Sequence, residues 1–127
     1  MSALVLDAGA FVAVDRGDRA MIARLRAAQR HAVDLRTNAM VVSQVWRDPY
    51  GRQAQLAILL RAVDVQPVDQ QIGRDAGVLL GRAGMRDSID ATVVLMANTG
   101  DRVITSDPQD IAALAHAADR KVLVVSC

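Results

Sequence analysis

Short β-branched and leucine-rich runs alternate with stretches of helical spacing from one end of this chain to the other. Strands are predicted at Ala3 to Leu6, at a weakly patterned segment near Ala32 to Leu35, and at Val63 to Val68, Arg102 to Thr105 and Lys121 to Val125. Each is an apolar run too short for a helix. Between them Met21, Ile22 and Leu25 recur at helical spacing, then Val41, Val42, Val45 and Trp46, then Leu56, Leu59 and Leu60. Two helical stretches, Gln70 to Arg82 and Ser88 to Asn98, flank a break at Gly84 and separate the third strand from the fourth. The order βαβαβαβαβ predicts a mostly parallel sheet with helices on both faces. Arg47-Asp48-Pro49-Tyr50-Gly51 reads as a helix stop and turn, since Pro disfavours helical geometry in the residue before it and Gly permits the reversal.

Composition changes this picture only at its edges. The chain has 127 residues and no linker, repeat or low-complexity tract, which predicts one domain, 1–127, able to bury a core without staples. Aromatic residues contribute only 2%, so the core is expected to be aliphatic; Phe11, Trp46 and Tyr50 are the three. No apolar run reaches the ~20 residues of a bilayer span, and no basic segment leads into an apolar one at the N-terminus. Cys127 is the single cysteine, which excludes an intrachain disulfide and a cysteine-rich zinc site. A cytoplasmic chain with no membrane partner is expected. The formal net charge is +1, and Arg supplies 14 of the 15 basic residues. Arg binds phosphate bidentately, but such a skew also follows from GC-rich coding, so charge alone does not point to nucleic acid.

Three carboxylates carry the chemistry. Asp7 follows the first strand, Asp90 opens the helix before the fourth, and Asp107 follows the fourth. Each taken singly has a plain structural explanation as a helix cap or a first-turn acid: Asp7 before Ala8, Asp90 in Asp87-Ser88-Ile89-Asp90, Asp107 in Ser106-Asp107-Pro108-Gln109-Asp110. Taken together they fall where a parallel sheet gathers its ligands, outside the carboxyl ends of the strands. Converging acids call for a hard cation, and Mg²⁺ or Mn²⁺ held by carboxylates serves phosphodiester cleavage.

At these residues the chain resembles the PIN-domain ribonucleases, and in particular the VapC toxins of toxin–antitoxin pairs. The resemblance spans the whole sequence. It rests on Leu4-Val5-Leu6-Asp7-Ala8, on Asp87-Ser88-Ile89-Asp90-Ala91, on Val103-Ile104-Thr105-Ser106-Asp107-Pro108, and on the 107 − 90 = 17 residue spacing of the last two acids. It implies a PIN-like three-layer αβα sandwich with a mostly parallel, roughly five-stranded sheet. It implies a Mg²⁺- or Mn²⁺-dependent endoribonuclease that leaves a 3′-hydroxyl and a 5′-phosphate, is neutralised by a cognate antitoxin and forms a homodimer. Asp7, Asp90 and Asp107 match the metal-binding acids; Thr105 or Ser106 matches the hydroxyl residue before the last acid; Asp87 and Asp110 match auxiliary acids. Where the family carries a Glu in the helix after the second strand, this chain has Gln44 in Val41-Val42-Ser43-Gln44-Val45-Trp46. An amide brings no charge, which leaves open a catalytically weakened PIN-fold RNA-binding or regulatory protein; Asp87, or Asp48 one turn on, could compensate.

Other readings fit less well. A phosphoacceptor receiver wants paired acids after the first strand, where Asp7 is followed by Ala8, and a dehalogenase-type phosphatase wants a second Asp where Gly9 stands. His31 and His116 lack partners for base catalysis. Arg16, Arg19 and Arg47 flank site-bearing elements and are candidate contacts to RNA phosphates, the RNA being an unpaired loop of transfer or ribosomal RNA. Trp46 is assigned to the core rather than to base stacking, and Tyr50 to the surface. Phe11, Val12, Val45 and Trp46 are candidate antitoxin contacts, with core packing the expected fate of most.

Overall fold

The structure, a computed structural model, describes residues 2–48 and 50–127. The share of the predicted turn that rests on Pro49 therefore lies outside the described residues. Along the chain come β1 (Leu4–Leu6), α1 (Ala8–Asp15), α2 (Arg19–Arg30), β2 (Leu35–Asn38), α3 (Ala39–Val45) and α4 (Ala54–Arg61). Then follow β3 (Asp64–Gln66), α5 (Gln70–Ala83), α6 (Ser88–Met96), β4 (Arg102–Thr105), α7 (Pro108–Ala117) and β5 (Leu123–Ser126).

The five strands form one parallel sheet in the order β3-β2-β1-β4-β5. All three residues of β1 are buried, as a central strand covered on both faces requires. Helices α2, α3 and α4 pack on α1, while α5, α6 and α7 pack on one another, giving a helical layer on each side of the sheet. The core is aliphatic apart from Phe11, which is fully buried among leucines and valines.

The strand order fixes where a site can form. From β1 the chain winds outward through β2 and β3, then returns to the other side of β1 to lay down β4 and β5. The reversal falls between β1 and β4, whose registers pair Leu4 with Arg102 and Leu6 with Ile104. Neighbouring crossovers leave that gap on opposite faces, so a crevice opens outside the carboxyl ends of these two strands. The residues that leave β1 and β4 at that edge are Asp7 and Ser106-Asp107.

Several boundaries differ from the sequence reading: β3 is Asp64–Gln66 within the expected Val63 to Val68, and β5 is Leu123–Ser126 rather than Lys121 to Val125. The second strand is Leu35–Asn38, not Ala32 to Leu35: Ala32 takes a left-handed φ of 56° in the turn after α2. Arg36 and Thr37 enter the sheet with most of their polar groups met, the buried Arg36 Nε alone lacking a partner. Arg36 donates to Asp101 at 3.3 Å and to the Met96 carbonyl at 3.4 Å, and the Thr37 hydroxyl donates to the Leu6 carbonyl at 2.9 Å. The stretch after Asp7 is two helices, because Gly17 adopts φ +78° and Asp18 then caps α2 through Met21 N. At the far edge of the sheet, Asp101 accepts from Ala3 N at 2.7 Å and Asn98 N at 2.8 Å, closing the bottom of the molecule opposite the crevice.

Candidate active site

The plain capping explanation can now be tested acid by acid. Asp7 is the N-cap of α1: one carboxylate oxygen accepts from Ala8 N at 2.8 Å, and the other accepts from the Thr105 hydroxyl at 2.8 Å. Capping accounts for half of its acceptor capacity, and the bond to Thr105 ties β1 to β4 across the crevice. Asp87 is the N-cap of α6, accepting from Ile89 N and Asp90 N at 3.0 Å each. Capping is therefore Asp87's task and not Asp90's. Asp107 occupies the N-cap position of α7, yet its side chain makes no capping bond; instead its backbone N–H is held by the Thr105 hydroxyl at 3.0 Å. Among the described residues no protein donor reaches the carboxylate of Asp90 or of Asp107.

Electrostatics mark the same place. Asp90 is only 5% exposed. Burial, followed by the charges of Asp7, Asp87, Asp107 and Asp110, pushes its carboxyl up to about 7. Burial likewise raises Asp7 above the usual carboxylate range, against the pull of Thr105 and Ala8 N and with help from Asp107 and Asp87. Asp7 and Asp90 thus lie within electrostatic reach of Asp87 and Asp107. Negative charge crowded into a partly desolvated crevice is relieved by a proton or by a cation.

The donors fit a hard divalent ion: carboxylate oxygens only, at least two of them without a protein partner. Asp7, Asp90 and Asp107 are the residues that could hold it. Among the described residues, no three His, Cys, Asp or Glu side chains are already gathered at ligating geometry. Gln44 lies on the exposed side of α3, with no hydrogen bond to any of the acids. Asp48 is turned to its own backbone, accepting from Tyr50 N and Arg52 N at 2.7 Å each, and is not drawn toward the acids.

The remaining candidates divide. Thr105 is fully buried and bridges Asp7 to the Asp107 backbone, whereas Ser106 is exposed and bonds to neither. Asp110, in the first turn of α7, is exposed and acts on Asp90 through its charge. Arg16 lines an open cleft of about 600 Å³ together with Ala8, Gly9, Ser106 and Cys127, which places it beside the crevice. Arg19 is exposed at the start of α2 and does not line that cleft. Arg47 is exposed and donates to the Ser43 and Trp46 carbonyls at 2.8 Å, capping α3. The core assignment of Trp46 is wrong: α3 ends at Val45, the backbone turns extended at Trp46, and the indole is 38% exposed. Phe11 and Val45 are buried in the core and cannot meet a partner, while Val12 is half-buried.

Sequence reasoning missed three residues here. Asn38 caps α3 through Met40 N and Val41 N and donates to the Thr92 hydroxyl at 3.0 Å, joining α3 to the helix that carries Asp90. An Asn just before the run Val41-Val42 was the available signal. Gly9 brings α1 against the β4–α7 junction so closely that a Cβ there would lie 3.1 Å from that of Ser106. Cys127 sits on the same rim, 2.8 Å from that Cβ position, and burial and the charge of Asp7 raise its thiol. No local signal announces either contact.

No protein-family model matches the chain, and no curated protein sequence matches it. Among solved structures it is similar to VapBC2 from Rickettsia felis bound to a DNA fragment from the promoter. That likeness has 12% identity and a TM-score of 0.68 over 98% of each chain. It is also similar to FitAB bound to an IR36 DNA fragment, with 16% identity and a TM-score of 0.63 over 95% of this chain and 94% of the other. At such identities the likeness is one of fold, and the chain has the PIN-like αβα architecture.

Proposed function

We propose that this chain is a Mg²⁺- or Mn²⁺-dependent endoribonuclease of the VapC toxin kind, restrained by a cognate antitoxin. What supports the reading is that Asp7 and Asp107 follow β1 and β4 at the sheet's switch point, with Asp90 buried within reach of their charge and raised to about 7. The folds of VapBC2 and FitAB support it, each of them solved on DNA.

A bound divalent ion supplies a polarised water and positive charge against the developing phosphorane. The chain's own residues do the rest. Asp7 is fixed from both sides by Ala8 N and Thr105, which removes the entropy of orienting it. Asp90 and Asp107 keep their lone pairs free of protein donors, and Thr105 holds the Asp107 backbone in place. Asp87 and Asp110 add negative potential that draws a cation in. Arg16, which lines the open cleft with Ser106, would take an RNA phosphate. An antitoxin Arg entering the crevice pairs with the same carboxylates and competes with the ion.

Purified protein freed of antitoxin is expected to cut RNA containing unpaired loops in Mg²⁺ or Mn²⁺, leaving 5′-phosphate ends, and to stop in EDTA. Cleavage undiminished by EDTA overturns the mechanism. A second reading, a weakened RNA-binding or regulatory protein, is favoured by Gln44, which is uncharged and bonded to none of the acids. Gln44→Glu discriminates the two: if wild type binds RNA without cutting and the variant cuts, the second reading holds.

A further inference from the structure

The segment that follows α3 is built unlike the rest of the surface. The chain has three aromatic residues: Phe11 is fully buried, while Trp46 is 38% and Tyr50 85% exposed, four residues apart in one turn. Aromatic rings are ordinarily among the first side chains a small domain buries, and this chain leaves Tyr50 in water and Trp46 partly so. Arg47 and Arg52 stand in the same turn, both exposed.

Gln53 and Asp48 tie together the described residues around these rings. The amide of Gln53, 9% exposed, is fully used. It accepts from Arg47 N at 2.9 Å and Asp48 N at 3.1 Å, and donates to the Val45 carbonyl at 2.9 Å and to Asp15 at 3.1 Å. Asp48 spends both oxygens on Tyr50 N and Arg52 N. Asp48 thus spends its carboxylate within the turn, Arg47 holds the Ser43 and Trp46 carbonyls, and what is presented outward is the Tyr50 ring, part of the Trp46 ring and the Arg52 guanidinium. Rings on a preorganised backbone cost little to immobilise on binding.

We propose that Trp46 and Tyr50 form a stacking platform for unpaired bases of single-stranded RNA, with Arg52 on the phosphates. The proposal rests on the ribonuclease reading for its choice of RNA, and gives that enzyme a substrate contact away from the acids. Aromatic faces accept any base, so the platform supplies affinity for unpaired strands and leaves sequence choice to other contacts. Duplex RNA, whose bases are already stacked, gains nothing from it.

Trp46 is the only tryptophan, so its fluorescence reports directly. The full chain in EDTA is titrated with a mixed-sequence single-stranded RNA oligonucleotide and with the same sequence as a duplex. The expected result is saturable quenching by the single strand and little by the duplex. Labelled-RNA anisotropy then follows Tyr50→Ala and Trp46→Ala, each expected to weaken binding on the order of 10-fold, with Trp46→Phe close to wild type. Tyr50 is exposed enough that its loss leaves the fold intact, which circular dichroism verifies. Equal RNA affinity in Tyr50→Ala and wild type, unchanged fluorescence at saturating RNA, or quenching by a protein partner alone overturns the platform. Asp90→Asn separates the two readings, since it is expected to keep the quenching and lose cleavage. Quenching with no cleavage by wild type sinks the nuclease and leaves the platform; cleavage with an unchanged KM in Tyr50→Ala does the reverse.

Discussion

At the scale of single residues, the structure divides acids that cap from acids that do not, and this decides what each substitution does. Asp90 is buried and its carboxyl is raised to about 7, against about 3.9 for an unfolded Asp. The native state therefore binds the proton more tightly, and metal-free stability falls as pH rises from about 4 to about 7, then levels off. Asp90→Asn removes that fall. At pH 8 without metal the variant is expected to be more stable than wild type by on the order of 2 kcal/mol, less than the full shift implies because water enters the crevice. It should also lose cleavage and no longer gain melting temperature from Mg²⁺. Thermal melts at pH 5 and 8, with and without Mg²⁺, check all three; a variant that melts lower yet still cuts returns Asp90 to the role of a structural acid. The positions of Asp7 and Asp107 after the first and fourth strands, and of Asp90 in the first turn of a helix, were legible in the sequence, from the apolar runs before the first two and the cap before the third. Thr105 against Ser106 was not, since adjacent strand residues point to opposite faces and only the register of β1 with β4 shows which hydroxyl meets Asp7.

At the scale of elements, the long helices and the central strands followed from periodicity, and the failures have one cause. β2 and the turn after α3 owe their conformations to polar groups satisfied at long range, such as Arg36 to Asp101 and Gln53 to Asp15, and a window along the chain cannot see such partners. Helix α5 shows the opposite case, a local pattern with a clear energetic cost. Gly73, Gly77 and Gly81 repeat every four residues along its exposed side, and a Cβ at any of them meets nothing within 4 Å. Glycine inside a helix costs roughly 0.5–1 kcal/mol relative to alanine. The triple Gly→Ala variant is thus expected to gain about 2 kcal/mol, read as a higher urea midpoint at unchanged slope. No gain, or a loss, means that this face is not open in solution.

At the scale of the molecule, surface area bears on partners. The chain exposes 7451 Å², where a compact monomer of 13.6 kDa is expected to expose about 6,600 Å². The excess is close to the ~800 Å² that one partner contributes to a standard interface. Part of it is apolar, with Ile58, Val78 and Leu123 each more than half exposed. No helix among the described residues is long and apolar enough to cross a membrane, so a bilayer-spanning helix does not account for these side chains. On the toxin reading two protein partners would cover them, a second copy and an antitoxin. Light scattering at micromolar concentration is expected to give twice the 13.6 kDa of the chain. Expression alone should arrest growth, and co-expression with a small neighbouring gene product should restore it and yield a stable complex that no longer cuts RNA. The two partners fail separately: a monomer that is nonetheless toxic and rescued removes the dimer only. A dimer that is harmless alone and binds no neighbour removes the toxin, and leaves the acidic crevice to a nuclease under some other control.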